Sequence, residues 1–178
     1  MPSPCDPEYA PVGDVGAALM MIDSRLKAVY DSKSGTDPVQ QQMMEQFAAS
    51  LGPAGIDALL TGTCTLIYML VKWLRTACEE HGKDVIEYVV PALVASMRMM
   101  PKTFRPEVIP TMAGLLVAAG TGLSPSLWRA QHGRWTEAEM NPLEATAVLL
   151  AEHINRIAGD HDFATRLITE ALSDSDGE

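Results

Sequence analysis

The chain has 178 residues, 47% of them hydrophobic and 20% charged, so it holds enough apolar material for one packed core without disulfide or metal staples. A formal charge of -10, from 13 Lys plus Arg against 23 Asp plus Glu, gives a mean field that repels phosphate backbones and anionic membranes. Nonspecific nucleic-acid binding is therefore disfavoured.

Residues 1–13 hold four of the twelve prolines and few large apolar side chains, which predicts a flexible arm. From Asp14 the residues Val15, Leu19, Ile22, Leu26 and Val29 recur at helical spacing, and the pattern ends near Ser32. Lys33 to Gly35 reads as a break. Asp37 and Pro38 then supply a cap and a first-turn proline for a second helix with Val39, Met43, Phe47 and Leu51, stopped by Gly52 and Pro53. A third and central helix is expected from Pro53 to Cys78. Within it Gly62 and the threonines Thr61, Thr63 and Thr65 lower helix propensity, so a bend or a closely packed neighbour is expected there.

His81 to Asp84 makes a stop and a fresh cap. Pro91 should kink the next helix or begin a new one, because it lacks an N–H and clashes with the preceding turn. Downstream, Thr111 to Ala119 offers a short buried helix, and Ser124 and Pro125 cap another that reaches about Gln131. Thr136 with Glu139 fits a capping box. Asn141 and Pro142 open a strong amphipathic pattern whose inner face is Leu143, Ala147, Leu150, Ile154 and Ile157. Gly159 turns the chain into a last helix with Phe163, Leu167, Ile168 and Leu172, before an acidic tail at 173–178. No stretch alternates with period two for long, so the expected class is all-α: a single helical domain, 14–172, of about six to eight helices.

The uncharged run from Ala58 to Val71 is shorter than the roughly 20 residues a bilayer crossing needs, and Val108 to Trp128 is interrupted by Pro and Gly. Both read as core, and no membrane span or export signal is expected. Cys5, Cys64 and Cys78 have no Cys-x-x-Cys spacing and are odd in number, which points to a reducing, cytoplasmic setting.

Motifs that carry chemistry are sparse. His81, His132, His153 and His161 lack the Glu-x-x-His spacing of di-iron bundles, and neither a nucleophile elbow nor a phosphate loop occurs. The expectation is a noncatalytic protein, with no metal and no cofactor. Charge is uneven: residues 88–136 carry five bases and the single acid Glu107, whereas 137–178 carry two bases and ten acids. The basic middle either pairs with the acidic ends of its own chain or faces an acidic partner.

Two surfaces stand out in that middle. Trp128, Arg129, Arg134 and Trp135 combine the side chains most enriched at interface hot spots, and they read either as a partner site or as internal packing. Met97, Met99, Met100 and Phe104 lie between helix breaks, and adaptable methionines suit an apolar groove. Arg98, Lys102 and Arg105 would make the same stretch a mixed exposed surface. The favoured reading is a protein–protein interaction module (scaffold, adaptor or regulator) that binds copies of itself. The second is a helical binder of a small apolar molecule. The third is a helix-turn-helix regulator with Trp128 and Arg129 near the bases.

Overall fold

The computed structural model describes residues 12–30 and 38–176, with side chains at 13–30 and 55–174. The predicted arm as far as residue 11, the break at Lys33 to Gly35, the Asp37 cap and Cys5 lie outside the described residues. So do the side chains of Val39, Met43, Phe47 and Leu51. The described residues form eight helical segments and no strand: α1 (Val12–Tyr30), α2 (Pro38–Glu80), α3 (Val85–Tyr88), α4 (Val90–Arg98), α5 (Ile109–Gly120), α6 (Pro125–Ala130), α7 (Glu137–Ala158) and α8 (Phe163–Asp176). The fold is all-α.

The long helix α2 is the axis, and α1, α3, α5, α6, α7 and α8 all pack on it. Its buried residues Leu66, Ile67, Leu70 and Leu74 follow helical spacing and join Val15, Ile22 and Leu26 of α1 and Leu143, Leu150 and Ile154 of α7 in one core. Its stretch Gly55–Glu80 is long and apolar enough to cross a membrane, but half of its most apolar 18-residue window is buried inside the fold, as befits the central helix of a bundle.

Two expectations about α2 are corrected or resolved. Gly52 and Pro53 do not stop it; one helix runs through both positions. The proline removes one backbone hydrogen bond, a local penalty that packing along the buried C-terminal half outweighs. The threonine hydroxyls are satisfied within the helix, as Thr61, Thr63 and Thr65 donate to the carbonyls of Asp57, Leu59 and Thr61 at 2.8–3.1 Å. Gly62 does have its close neighbour: a Cβ built there would lie 2.3 Å from the Asp14 carbonyl oxygen of α1.

Local signals place most other boundaries. Asp84 caps α3 by accepting from the Ile86 N–H, and Pro91 sits in the first turn of α4, so the helix is divided at Val89. Ser124 caps α6. Thr136 and Glu139 form the capping box, which moves the start of α7 ahead of Asn141 and leaves Pro142 inside the helix. Gly159 closes α7 at φ 68°, in the left-handed region. Helix α8 continues to Asp176, through most of the expected tail. Val29 and Ile157 face outward, each more than half exposed, because their helices present those last turns to solvent.

Asn155 ties three elements together. Its buried amide donates to Tyr30 Oη (3.0 Å) and to the His161 carbonyl (2.8 Å), while its oxygen accepts from the Ala164 N–H (2.7 Å). The Tyr30 and His161 rings stack beside it, with centroids 3.9 Å apart. Asn155→Leu strands the buried Ala164 N–H and removes the partner of the part-buried His161 carbonyl, so a loss of about 1–3 kcal/mol is expected in urea denaturation. A loss below about 1 kcal/mol would show that water serves those groups instead.

Candidate functional site

The segment from Ser124 to Glu139 folds back on itself, and Arg129 is the reason. Its side chain is about 10% exposed and paired with Glu139. Nη1 and Nη2 donate to the two carboxylate oxygens of Glu139 at 2.6 and 2.7 Å, Nε donates to the Gly133 carbonyl, and Nη2 also donates to the Arg134 carbonyl. The planar fork suits this bidentate role in a way that lysine does not. The Trp135 ring lies over the guanidinium, 4.4 Å from carbon to centroid.

Glu139 also accepts from the N–H and hydroxyl of Thr136, so one carboxylate serves both the capping box and the ion pair. Burial alone would raise its pKa, but the hydrogen bonds from Arg129 and Thr136 together hold the carboxyl below its ordinary range. Trp128 packs on Gly114 of α5, where a Cβ would come within 3.0 Å of the indole, and tilts against His132.

Arg129, Trp135 and the Arg134 carbonyl therefore come together as a clamp that joins α6 to α7, while Trp128 packs on α5 instead. Arg129 faces inward with four of its five N–H donors engaged, the two tryptophans are half-buried, and only the Arg134 side chain is exposed. Helix α6 has six residues, and the pair expected near DNA bases is turned into the protein.

The Met-rich stretch divides by helical phase. Met97 and Phe104 are fully buried core residues, so they line no groove, whereas Met99 is 83% exposed and Met100 faces solvent beside it. Arg98, Lys102 and Arg105 are exposed around them. Among the described residues, none of these three cations, nor Arg134, makes an ion pair. Of the five bases of 88–136, Arg129 is the one that meets a carboxylate. Internal pairing with the acidic ends thus accounts for one base of this segment among the described residues. The same segment holds Tyr88, Met99, Met100, Val117, Leu123 and Leu127, six of the ten exposed large hydrophobic side chains among the described residues.

Among the described residues no group of three or more His, Cys, Asp or Glu side chains is placed to hold a metal ion. Burial lowers the pKa of His153 and raises that of the Cys78 thiol. No disulfide joins Cys64 or Cys78 among the described residues. No family model, curated protein or solved structure matches this chain.

Proposed function

We propose that the protein is a noncatalytic interaction module that associates with further copies of itself, head to tail, through the surface around Met99. The observation that carries this reading is the exposed Met99–Met100 pair ringed by Arg98, Lys102 and Arg105, none of them ion-paired among the described residues. An exposed thioether among cations fits a partner that offers carboxylates next to apolar surface. The chain supplies such a partner in its own last helix, where Glu170 and Asp174 are exposed one turn apart. A basic middle meeting the acidic end of the next copy is a heterologous contact, which closes into a ring or grows as a chain. The odd cysteine count and the lack of Cys-x-x-Cys spacing are in keeping with a reducing, cytoplasmic setting.

Native mass spectrometry and light scattering test the association. The expected result is a species heavier than the 19.2 kDa monomer that dissociates as salt is raised. Met99→Asp should weaken assembly by about 10- to 100-fold, the loss that follows from exposing one buried methionine. Arg98→Glu with Lys102→Glu should abolish it, and adding Glu170→Lys with Asp174→Lys should restore it. A monomer at every concentration, or an oligomer indifferent to all of these changes, overturns the reading.

A further inference from the structure

The chain leaves α4 as a run of turns, in which the Met99 N–H donates to the Ser96 carbonyl, Met100 to Met97, Phe104 to Met100 and Val108 to Arg105, at 2.8–3.1 Å. These turns hold three methionines and three cations in one short coil of backbone. Met97 is 0% exposed, Met100 38% and Met99 83%, and Arg98, Lys102 and Arg105 flank Met99 without an ion pair among the described residues. Glu107 is the one acid of residues 88–136. Met20 of α1 supplies a contrast in the same molecule. It is 71% exposed, but one turn on stands Asp23, whose carboxylate lies 2.8 Å from Lys27 Nζ. Two thioethers are thus open to solvent, one beside unpaired cations and the other beside an acid and a neutralised cation.

An exposed thioether accepts an oxygen atom from peroxides, and the sulfoxide formed is polar. Unpaired cations raise the local concentration of an anionic reagent and leave that of a neutral one unchanged. We propose that Met99 is a modification site, oxidised ahead of the other methionines by anionic hydroperoxides, and that its sulfoxide loosens the self-association of the chain. The sulfur lone pair forms an S–O bond to the terminal oxygen as the O–O bond breaks. The hydroperoxide proton passes to the departing oxyanion, so the sulfur is oxidised and the peroxide reduced. A polar sulfoxide no longer gains from burial against apolar surface, and its oxygen competes with a partner's carboxylates for the neighbouring cations. The effect on assembly rests on the Met99 surface proposed above, whereas the selectivity for an anionic oxidant does not.

The test is peptide mass spectrometry after brief treatment with peroxymonosulfate, an anion, or with hydrogen peroxide, which is neutral. Divided by the Met20 yield of the same digest, Met99 sulfoxide should be at least about threefold higher with peroxymonosulfate. The excess should vanish in about 0.5 M salt, and in the triple variant Arg98→Gln, Lys102→Gln, Arg105→Gln. Because the two reagents are compared as a ratio, occlusion of Met99 by a partner copy cancels. Met100 should follow Met99, and Met97 should stay unmodified. In native mass spectrometry of partly oxidised protein, Met99 sulfoxide should be enriched about tenfold in monomer over oligomer, with Met20 sulfoxide evenly distributed. Equal ratios for the two reagents, or an excess indifferent to salt, overturns the selectivity, and equal Met99 sulfoxide in monomer and oligomer overturns the switch. A chain that is monomeric before treatment overturns the self-association reading and the switch with it, while the Met99 to Met20 ratios still decide the selectivity.

Discussion

Arg129→Met is expected to destabilise the protein by about 3–5 kcal/mol, because it leaves the Glu139 carboxylate in a site where its side chain is only 11% exposed. For a domain of this size that corresponds to a fall in Tm of roughly 10 °C or more. The loss exceeds that of an exposed ion pair, worth about 0.2–1 kcal/mol, since here four directed hydrogen bonds vanish together and the remaining charge has no water to replace them. Arg129→Met with Glu139→Met should recover part of the loss, as apolar pairs often substitute for buried ion pairs. Recovery is incomplete, because the Gly133 and Arg134 carbonyls and the Thr136 N–H still lose partners. The pH dependence has a definite sign. Glu139 has a folded pKa below its ordinary value of 4.5, so its contribution is present above that value and is lost as pH falls through the folded one. Urea denaturation followed by tryptophan fluorescence should therefore show an acid limb in the wild type that flattens in Arg129→Met. A single-variant loss below about 1 kcal/mol would mean that the clamp does not hold α6 to α7.

The pattern of what the sequence made legible follows from the range of the forces involved. Caps at Asp84, Ser124 and Thr136 act within three residues, and Pro91 acts through its own missing N–H, so each marks its boundary wherever the rest of the chain lies. Continuity of α2 through Gly52 and Pro53 depends instead on how the following turns are buried, which no local window contains. Methionines 97 and 99 illustrate the same limit. Residues two apart point to nearly opposite sides of a helix, so a sequence implies that one is buried if the other is exposed, without saying which. The core decided for Met97. Arg129 was legible as chemically unusual, but its inward direction rests on Glu139 ten residues later and on a chain reversal between them.

Gly62→Ala sets two of these scales against each other. Alanine is favoured over glycine by about 1 kcal/mol in a helix interior, so propensity alone predicts a gain. Packing predicts the reverse, since the new Cβ would stand 2.3 Å from the Asp14 carbonyl oxygen and 2.8 Å from its carbon, both backbone atoms that no rotamer change can move. Relief requires α1 to shift away from α2, which disturbs Val15, Ala18 and Ile22 along the contact. The overpacking term is about 1–3 kcal/mol or more and the helix must move as a body, so a net loss of about 2 kcal/mol is expected. Gly16→Ala supplies the control. It lies in α1 with no atom within 4 Å of its added Cβ, so propensity acts unopposed and a gain of about 0.5–1 kcal/mol is expected. Opposite signs for the two glycines in parallel urea titrations would establish that the α1–α2 crossing is set by backbone contact at Gly62. A stabilising Gly62→Ala would show that the helices stand further apart than this contact requires.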